Sequence, residues 1–287
     1  MSAPSPASRE RLLGLFALIV AGEMIFSLPF HLPRYFRPSV LETFGLSNGE
    51  LGDIFAVYGV TAMLAYFPGG ALADRYPARR LMCASLVATA LGGLWLATLP
   101  GGAALRVLYG YWGVTSILLF WAAMIRATRE WGGEFAQGRA FGLLDGGRGL
   151  AAALVATLAV LCFDAVLPEL AWDTAQADRA HAMRVVILFY CAATLVAAAM
   201  IWCWLPERAA PAVATAGATR GHVLAVLRRP LVWLQALVVV CAYCGYKGLD
   251  NYALYAYDVL GMSETGAAGF TAAAAWLRPL AAVAAGF

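Results

Sequence analysis

The amino-acid sequence predicts an all-α integral membrane protein, and three observations carry that prediction. Of the 287 residues, 62% are hydrophobic and only 13% are charged, whereas a soluble domain has about 25% charged residues. The apolar residues gather in runs close to the roughly 20 residues that a membrane-spanning helix needs. Arginines concentrate in alternate connections between these runs, which is the asymmetry that the positive-inside rule describes.

The apolar runs divide the chain into about eight predicted membrane helices. A tail (residues 1–11) precedes a predicted six-helix bundle (residues 12–205), and a low-complexity Ala/Thr/Pro loop (residues 206–230) precedes two further helices (residues 231–287). The predicted spans are Leu12–Leu32, Leu51–Ala73, Leu81–Leu99, Leu105–Ile125, Arg139–Phe163, Met183–Leu205, Leu231–Tyr257 and Thr265–Phe287.

The distribution of charge predicts the orientation of the chain in the membrane and limits the classes of binding partner. The predicted outer loops hold few arginines, so we expect a cytoplasmic N-terminus in an inner membrane. The net charge of +3 is too small to indicate a nucleic-acid partner, which leaves the lipid bilayer and a small-molecule substrate. The six cysteines lie in or beside apolar runs and favour packing over metal or redox chemistry. With no metal or nucleotide motif in the sequence, we expect no cofactor and no enzyme activity.

The connection between the second and third runs carries the most specific motif. Glycine, leucine, aspartate and arginine stand in register there, and Asp74 is placed to cap a neighbouring helix or to pair with an arginine. The motif resembles the signature loop of the major facilitator superfamily, through Gly70, Leu72, Asp74, Arg75, Arg79 and Arg80. The resemblance implies a loop that latches two halves of a transporter on the cytoplasmic side, with substrate at the midplane and alternating access.

A short internal repeat adds to that resemblance. The pattern Phe44–Ser47 precedes the second run and the similar Leu260–Ser263 precedes the eighth. Ser47 and Glu50 have the spacing of a helix capping box. The same spacing applied to Gly70 leads to Gly286, where a second copy of the signature loop would open. We therefore expect the chain to be the first eight of twelve helices, and the full-length protein to be a monomer.

The seventh run holds a polar face that predicts a site. Tyr243, Lys247, Asn251 and Tyr255 recur every fourth residue, and Asp250 follows Lys247 by three. Charges inside a membrane cost about 2.5–3.5 kcal/mol each, so they need a partner or a cavity. The pattern favours equally a contact with an anionic or polyhydroxylated ligand and an internal Lys247–Asp250 pair.

The first run supplies three more candidates. Glu23 is either a proton-coupling carboxylate with a pKa raised by burial or the counter-charge of Lys247 or Arg148, and the pairing is favoured. His31 and Arg34 lie one turn apart at the predicted outer end. They either admit an anion or lie in the membrane interface, and the interface is favoured.

Arginines in the fifth and eighth runs complete the set. Arg148 follows Asp145 by three residues, so the two either neutralise each other or face the substrate cavity. Arg278 has no acid nearby in the sequence, which makes it a cavity candidate.

Two stretches are similar to sugar-phosphate permeases of the same superfamily: Gly45–Gly52 and Tyr246–Asp250. The resemblance implies phosphate held by basic residues on the first and seventh helices. Lys247 would be the second of these, whereas His31 stands where the first is expected to be arginine. A nitrate carrier should have an arginine inside the second helix, and this sequence has none there.

The sequence thus predicts a secondary active transporter of a small polar solute, an organic anion or a sugar (phosphate). Coupling to a proton or a counter-anion, by symport or antiport, stays open. The alternative is a non-transporting membrane sensor or scaffold on the same fold. Such a protein should tolerate the loss of Lys247, Glu23 and Arg148.

Overall fold

A computed structural model describes residues 6–133, 136–166, 176–208, 228–277 and 279 of the chain. These residues form helices and short connections without a β-strand, so the predicted all-α class is confirmed. The helices are α1 Pro6–Met24, α2 Leu32–Tyr35, α3 Arg37–Phe44, α4 Asn48–Arg75, α5 Ala78–Leu96, α6 Gly102–Val114, α7 Ala122–Gly132, α8 Gln137–Val166, α9 Gln176–Trp204, α10 Pro230–Lys247, α11 Tyr252–Asp258 and α12 Glu264–Ala275. Two π-helical segments, Ser27–His31 and Thr115–Trp121, and the 3₁₀ turn Gly248–Asn251 join some of them.

The expected number of about eight spans is not confirmed. Among the described residues, five helical segments are long and apolar enough to cross a membrane, and the bent pair Arg9–Met24 and Ser27–Tyr35 would make a sixth. The five are Asn48–Arg75, Gly102–Gly132, Gln137–Val166, Asp178–Trp204 and Pro230–Asp258. Helix α5 is not among them, and the predicted eighth span lies partly outside the described residues.

Both members of the short internal repeat begin a helix. The Ser47 hydroxyl accepts a hydrogen bond from the Glu50 amide at 3.2 Å, and the Glu50 carboxylate accepts from the Ser47 amide at 2.8 Å. These two bonds form the capping box that the spacing of Ser47 and Glu50 predicts. A capping box satisfies two backbone donors at the helix start that would otherwise be unpaired. Ser263 likewise accepts from the Gly266 amide at 3.1 Å at the start of α12.

The first membrane segment bends by 41° between Met24 and Ser27. Pro29 has no amide hydrogen to donate, so regular α-helical bonding cannot continue through this stretch. The Ser27 and Thr194 hydroxyls donate to the Met24 carbonyl at 2.7 and 3.3 Å, which satisfies a backbone acceptor inside the bundle. The bend therefore tilts the π-helical segment and α2 away from the axis of α1.

Close helix packing surrounds this bend. Helix α1 packs against α8 and α9, α5 packs along α9, and α4 packs along α6. Glycine permits the closest approaches: a Cβ on Gly92 would lie 2.5 Å from the Trp112 indole nitrogen, and one on Gly69 would lie 3.1 Å from the Leu118 carbonyl oxygen. Two clusters of buried apolar side chains fill the bundle, one on each side of the bend.

Candidate functional site

Charged side chains gather at two places along the first membrane segment. We call the end of the bundle that holds Arg34 the Arg34 end, and the opposite end, which holds the signature loop, the Arg79 end. At the Arg34 end a group of charges joins the residues after the bend to the 3₁₀ turn that follows α10. This group, the Asp250 cluster, consists of Arg34, Arg37, Lys247 and Asp250.

The Asp250 carboxylate accepts from two cations at once. Arg34 Nε lies 2.5 Å from one carboxylate oxygen, and Lys247 Nζ pairs with the other. The Arg34 and Asp250 side chains are 11% and 7% exposed, whereas Lys247 is 28% exposed. Burial strengthens such pairs, and it also makes them costly to leave incomplete. Asp250 thus holds the end of α10 to α2.

Arg37 brings a third positive charge to the same place. Its guanidinium donates to the Asp250 backbone carbonyl at 3.3 Å and to the Asn48 side-chain oxygen at 2.8 Å. Burial lowers the pKa of Arg37, partly offset by the Asp250 charge, but an arginine starts so far above neutrality that it stays protonated. The cluster therefore contains three cations around one carboxylate.

Aromatic rings hold the lysine from the other side. Lys247 Nζ lies 4.7 Å from the centroid of the Phe30 ring and 5.3 Å from that of Phe55. Both distances suit cation–π attraction. The ammonium is thereby placed between α10, the π-helical segment and α4.

A second set of contacts joins helices at the Arg34 end. Glu264, at the start of α12, lies 2.7 Å from Arg179 and accepts from the Ser39 hydroxyl at 2.5 Å. Arg179 also lies 3.1 Å from Glu42 of α3. The Arg34 end is therefore tied across α3, α9 and α12 as well as through Asp250.

The other charge group, the Glu23 cluster, lies within the bundle beside the bend. It consists of Glu23, His31, Asp145 and Arg148. The two Glu23 oxygens lie 3.1 Å from His31 Nε2 and 3.1 Å from Arg148 Nε. Glu23 and His31 are each 2% exposed. Arg148 also lies 3.1 Å from Asp145, whose side chain is 58% exposed.

The structure separates the predicted candidates into these two groups. Among the described residues, Arg148 is the counter-charge of Glu23. Lys247 instead pairs with Asp250, three residues later in the chain, as the spacing indicates. His31 and Arg34 are each withdrawn from the protein surface into a contact with a carboxylate, and their place relative to the membrane interface stays a prediction.

The predicted polar face of the seventh run stays a prediction as a site. The 3₁₀ turn Gly248–Asn251 interrupts the helix within it, and Asn251 is exposed while Asp250 is buried. Tyr243 and Tyr255 are 57% and 54% exposed. Arg278 lies outside the described residues.

The signature loop lies at the Arg79 end. Arg79 and Arg80 both pair with Glu207, and Arg126 donates to backbone carbonyls of Ala73 and Tyr76. Gly70 and Leu72 are half-buried near the end of α4. Asp74 and Arg75 are exposed and bond to no other described side chain. The expected cap by Asp74 is not observed, since α5 begins after Pro77 without a side-chain cap.

Sequence reasoning missed the acids that complete these contacts. Glu264, Glu42 and Glu207 stand at helix ends, where a carboxylate usually faces solvent. Arg37 and Arg179 are among the few arginines of the predicted outer loops, which indicated only the membrane orientation. A signal was available for Glu264, because it follows the capping residue Ser263 in the repeated pattern.

Comparison with known proteins identifies the family of this chain. The sequence-family model of the Major Facilitator Superfamily matches residues 12–287. Inner membrane protein YqcE of Escherichia coli (strain K12) is 25% identical over 260 residues, which cover 89% of this chain and 59% of the relative. Inner membrane protein YihN of the same organism is 28% identical over 244 residues, covering 83% of this chain and 55% of the relative. The chain thus spans little more than half the length of these relatives.

Proposed function

Because the chain belongs to the Major Facilitator Superfamily, a family of membrane transporters, we propose that it forms the first part of a secondary active transporter for a small polar anion. The arginine-rich Arg79 end would lie in the cytoplasm, as the positive-inside rule requires. The names of the two Escherichia coli relatives, both inner membrane proteins, support an inner-membrane location.

The observation that carries the substrate class is the excess of positive charge around Asp250. Arg34, Arg37 and Lys247 all contact Asp250, the one carboxylate of this cluster, so the cluster would attract a second anion. Arginine and lysine bind carboxylate and phosphate groups with charge-assisted hydrogen bonds. An organic anion or a sugar phosphate would therefore compete with the Asp250 carboxylate for the same donors.

The position of the cluster supports a role in alternating access. It joins residues 34–37, in the predicted first bundle, to residues 247–250, in the predicted second bundle. A substrate anion that takes Arg34 or Lys247 from Asp250 would weaken the contact that closes this end. Binding and opening would then share the same side chains, which is how a ligand shifts a conformational equilibrium.

The Glu23 cluster supports a structural role more than a coupling role. The carboxylate lies between Arg148 and His31, 3.1 Å from each. A proton would have to compete with Arg148 for Glu23. We therefore propose a counter-anion as the coupled solute, exchanged at the Asp250 cluster.

Transport by the full-length parent in liposomes tests the proposal. Uptake and counterflow of labelled organic anions, sugars and sugar phosphates would be compared for the wild type, Lys247→Gln and the control Arg129→Gln. Arg129 is an exposed arginine of α7, far from the cluster along the chain. A charge-assisted hydrogen bond contributes about 1.5–3 kcal/mol, so Lys247→Gln should reduce kcat/KM for the anion at least about tenfold.

Three outcomes separate the alternatives. Loss of anion flux in Lys247→Gln, with flux retained in Arg129→Gln, supports the anion site. Saturable flux that survives Lys247→Gln keeps the transporter but refutes the site. No flux of any solute by well-folded wild type favours the sensor or scaffold.

A further inference from the structure

A cavity of about 490 Å³ opens at the Arg79 end of the molecule. It lies among the first turns of α1, the start of α5 and the ends of α7 and α9. Four arginines and two tryptophans dominate its lining, and we call it the arginine cavity: Arg11, Arg79, Arg126, Trp131, Trp204 and Arg208. Its volume falls in the range of small-molecule sites, roughly 300–1,000 Å³.

Positive charge exceeds negative charge in this lining. Glu10 and Glu130 are the described carboxylates of the lining, and Glu207 beside it pairs with Arg79, so three acids stand against four guanidinium groups. Glu130 lies 3.3 Å from Arg126 and 3.8 Å from Arg208, so one acid serves two bases. A concave surface with an excess of one charge concentrates ions of the opposite sign.

Two of these arginines also have a buried Nε without a hydrogen-bond acceptor among the described residues. Arg79 pairs with Glu207 through a terminal nitrogen instead, and Arg126 Nε lies 3.3 Å from Glu130. A buried donor without an acceptor costs free energy. A ligand with several acceptor oxygens, placed in the arginine cavity, would remove that cost.

The tryptophans make the walls suited to an amphiphilic anion. Arg11 lies 5.5 Å above the Trp131 ring and donates to the Trp131 carbonyl at 3.0 Å. The Trp131 indole donates in turn to the Arg11 carbonyl at 2.7 Å. Trp204 and the apolar Leu13 line the remaining wall. Tryptophan and arginine together are typical of protein surfaces at the level of lipid headgroups.

We propose that the arginine cavity binds a phosphate group, carried by an anionic phospholipid headgroup or by a soluble phosphate ester. The site is separate from the Asp250 cluster, which lies at the opposite end of the bundle, so its ligand is not the transported solute. The bound phosphate would bridge α1, α5, α7 and α9 at the end that holds the signature loop. It would thereby stabilise this end of the bundle without taking part in transport.

Native mass spectrometry of the purified full chain tests the proposal. Phosphatidylglycerol is the lipid probe, phosphatidylcholine its zwitterionic control, and glycerol phosphate the soluble probe. The variants Arg11→Gln and Arg208→Gln each remove one charge from the cavity. Arg129→Gln is the matched control, because Arg129 belongs to the same helix as Arg126 but is exposed and does not line the cavity.

A second variant separates loss of the site from loss of folding. Gly14 lines the cavity, and a Cβ there would meet its nearest neighbour, the Trp204 carbonyl oxygen, at an ordinary 3.5 Å. Gly14→Leu therefore fills the space while every arginine remains. Thermal unfolding without added ligand would confirm that each variant folds.

The proposal predicts that Arg11→Gln, Arg208→Gln and Gly14→Leu each weaken phosphatidylglycerol binding at least tenfold, while Arg129→Gln changes it less than twofold. Phosphatidylcholine should not compete. Competition by glycerol phosphate at similar concentration would identify a soluble ester as the ligand, and its failure to compete a lipid. The site would be overturned if Arg129→Gln weakened phosphatidylglycerol binding as much as the cavity variants do. It would also be overturned if Gly14→Leu still bound both probes, or if the wild type bound neither probe.

Discussion

Replacing Glu23 by glutamine should destabilise the bundle strongly, although it changes the side chain by little more than one charge. The carboxylate is 2% exposed and lies 3.1 Å from Arg148 and 3.1 Å from His31. Removing one member of a buried ion pair typically costs about 3–5 kcal/mol, because the other charge stays buried without compensation.

The remaining contacts of Arg148 set the expected value within that range. Its Nε still donates to the Gly22 carbonyl at 3.1 Å, and Asp145 still lies 3.1 Å from its terminal nitrogen. The Asp145 side chain is 58% exposed, so water screens most of its attraction. We therefore expect Glu23→Gln to lower the free energy of unfolding by about 3 kcal/mol, the lower limit of the range.

Reversible unfolding in mixed micelles, titrated with dodecyl sulfate, would measure this free energy. Asp145→Asn is the matched control, with an expected loss of less than about 1 kcal/mol because water screens the 58% exposed Asp145 side chain. The double variant Glu23→Gln/Arg148→Met should be more stable than Glu23→Gln alone, since it leaves no buried cation without a partner.

Two results would refute this reasoning. Equal, small losses for Glu23→Gln and Asp145→Asn would show that Glu23 does not compensate the buried charge of Arg148. A double variant that loses the full sum of the two single effects would show that lost packing, and not an unpaired charge, causes the destabilisation.

Two further predictions concern packing inside the bundle. Gly92→Ala should lower the thermal midpoint by several degrees, because its Cβ would lie 2.5 Å from the Trp112 indole nitrogen and overpacking costs about 1–3 kcal/mol; Gly101→Ala, with nothing within 4 Å, should leave the midpoint unchanged. Tyr58→Phe should lower the free energy of unfolding by about 1 kcal/mol, because the buried Tyr58 hydroxyl lies 2.7 Å from the Ser116 hydroxyl. An unchanged midpoint in Gly92→Ala, or unchanged stability in Tyr58→Phe, would contradict these predictions.

The features that the sequence predicted correctly depend on residues close together in the chain. The capping box needs only Ser47 and Glu50, and the pairing of Lys247 with Asp250 needs only helical spacing. Apolar runs predict membrane helices for the same reason, because the hydropathy of a run indicates whether it lies in lipid or in water. The number of spans was less predictable, because α5 is not among the helices that are long and apolar enough to cross a membrane, and the bend between Met24 and Ser27 leaves the first segment as a bent pair of helices.

The features that the sequence did not predict depend on contacts between distant segments. Arg34 and Asp250 are separated by 216 residues, and nothing near Arg34 in the chain distinguishes a buried arginine from one at the membrane interface. The partner of Glu23 was predicted only as one of two alternatives, because either Lys247 or Arg148 could neutralise it. Packing around the bend decides for Arg148, which reaches the Gly22 carbonyl as well.

The bend in the first membrane segment makes the two charge clusters mechanically dependent. Glu23 precedes the bend and His31 follows it, so their 3.1 Å contact spans the bend. Phe30, in the same π-helical segment, contacts Lys247 on its other side. A movement that separates Lys247 and Asp250 from Arg34 would shift this segment and lengthen the Glu23–His31 contact. Glu23→Gln should therefore weaken closure of the Arg34 end as well as stability.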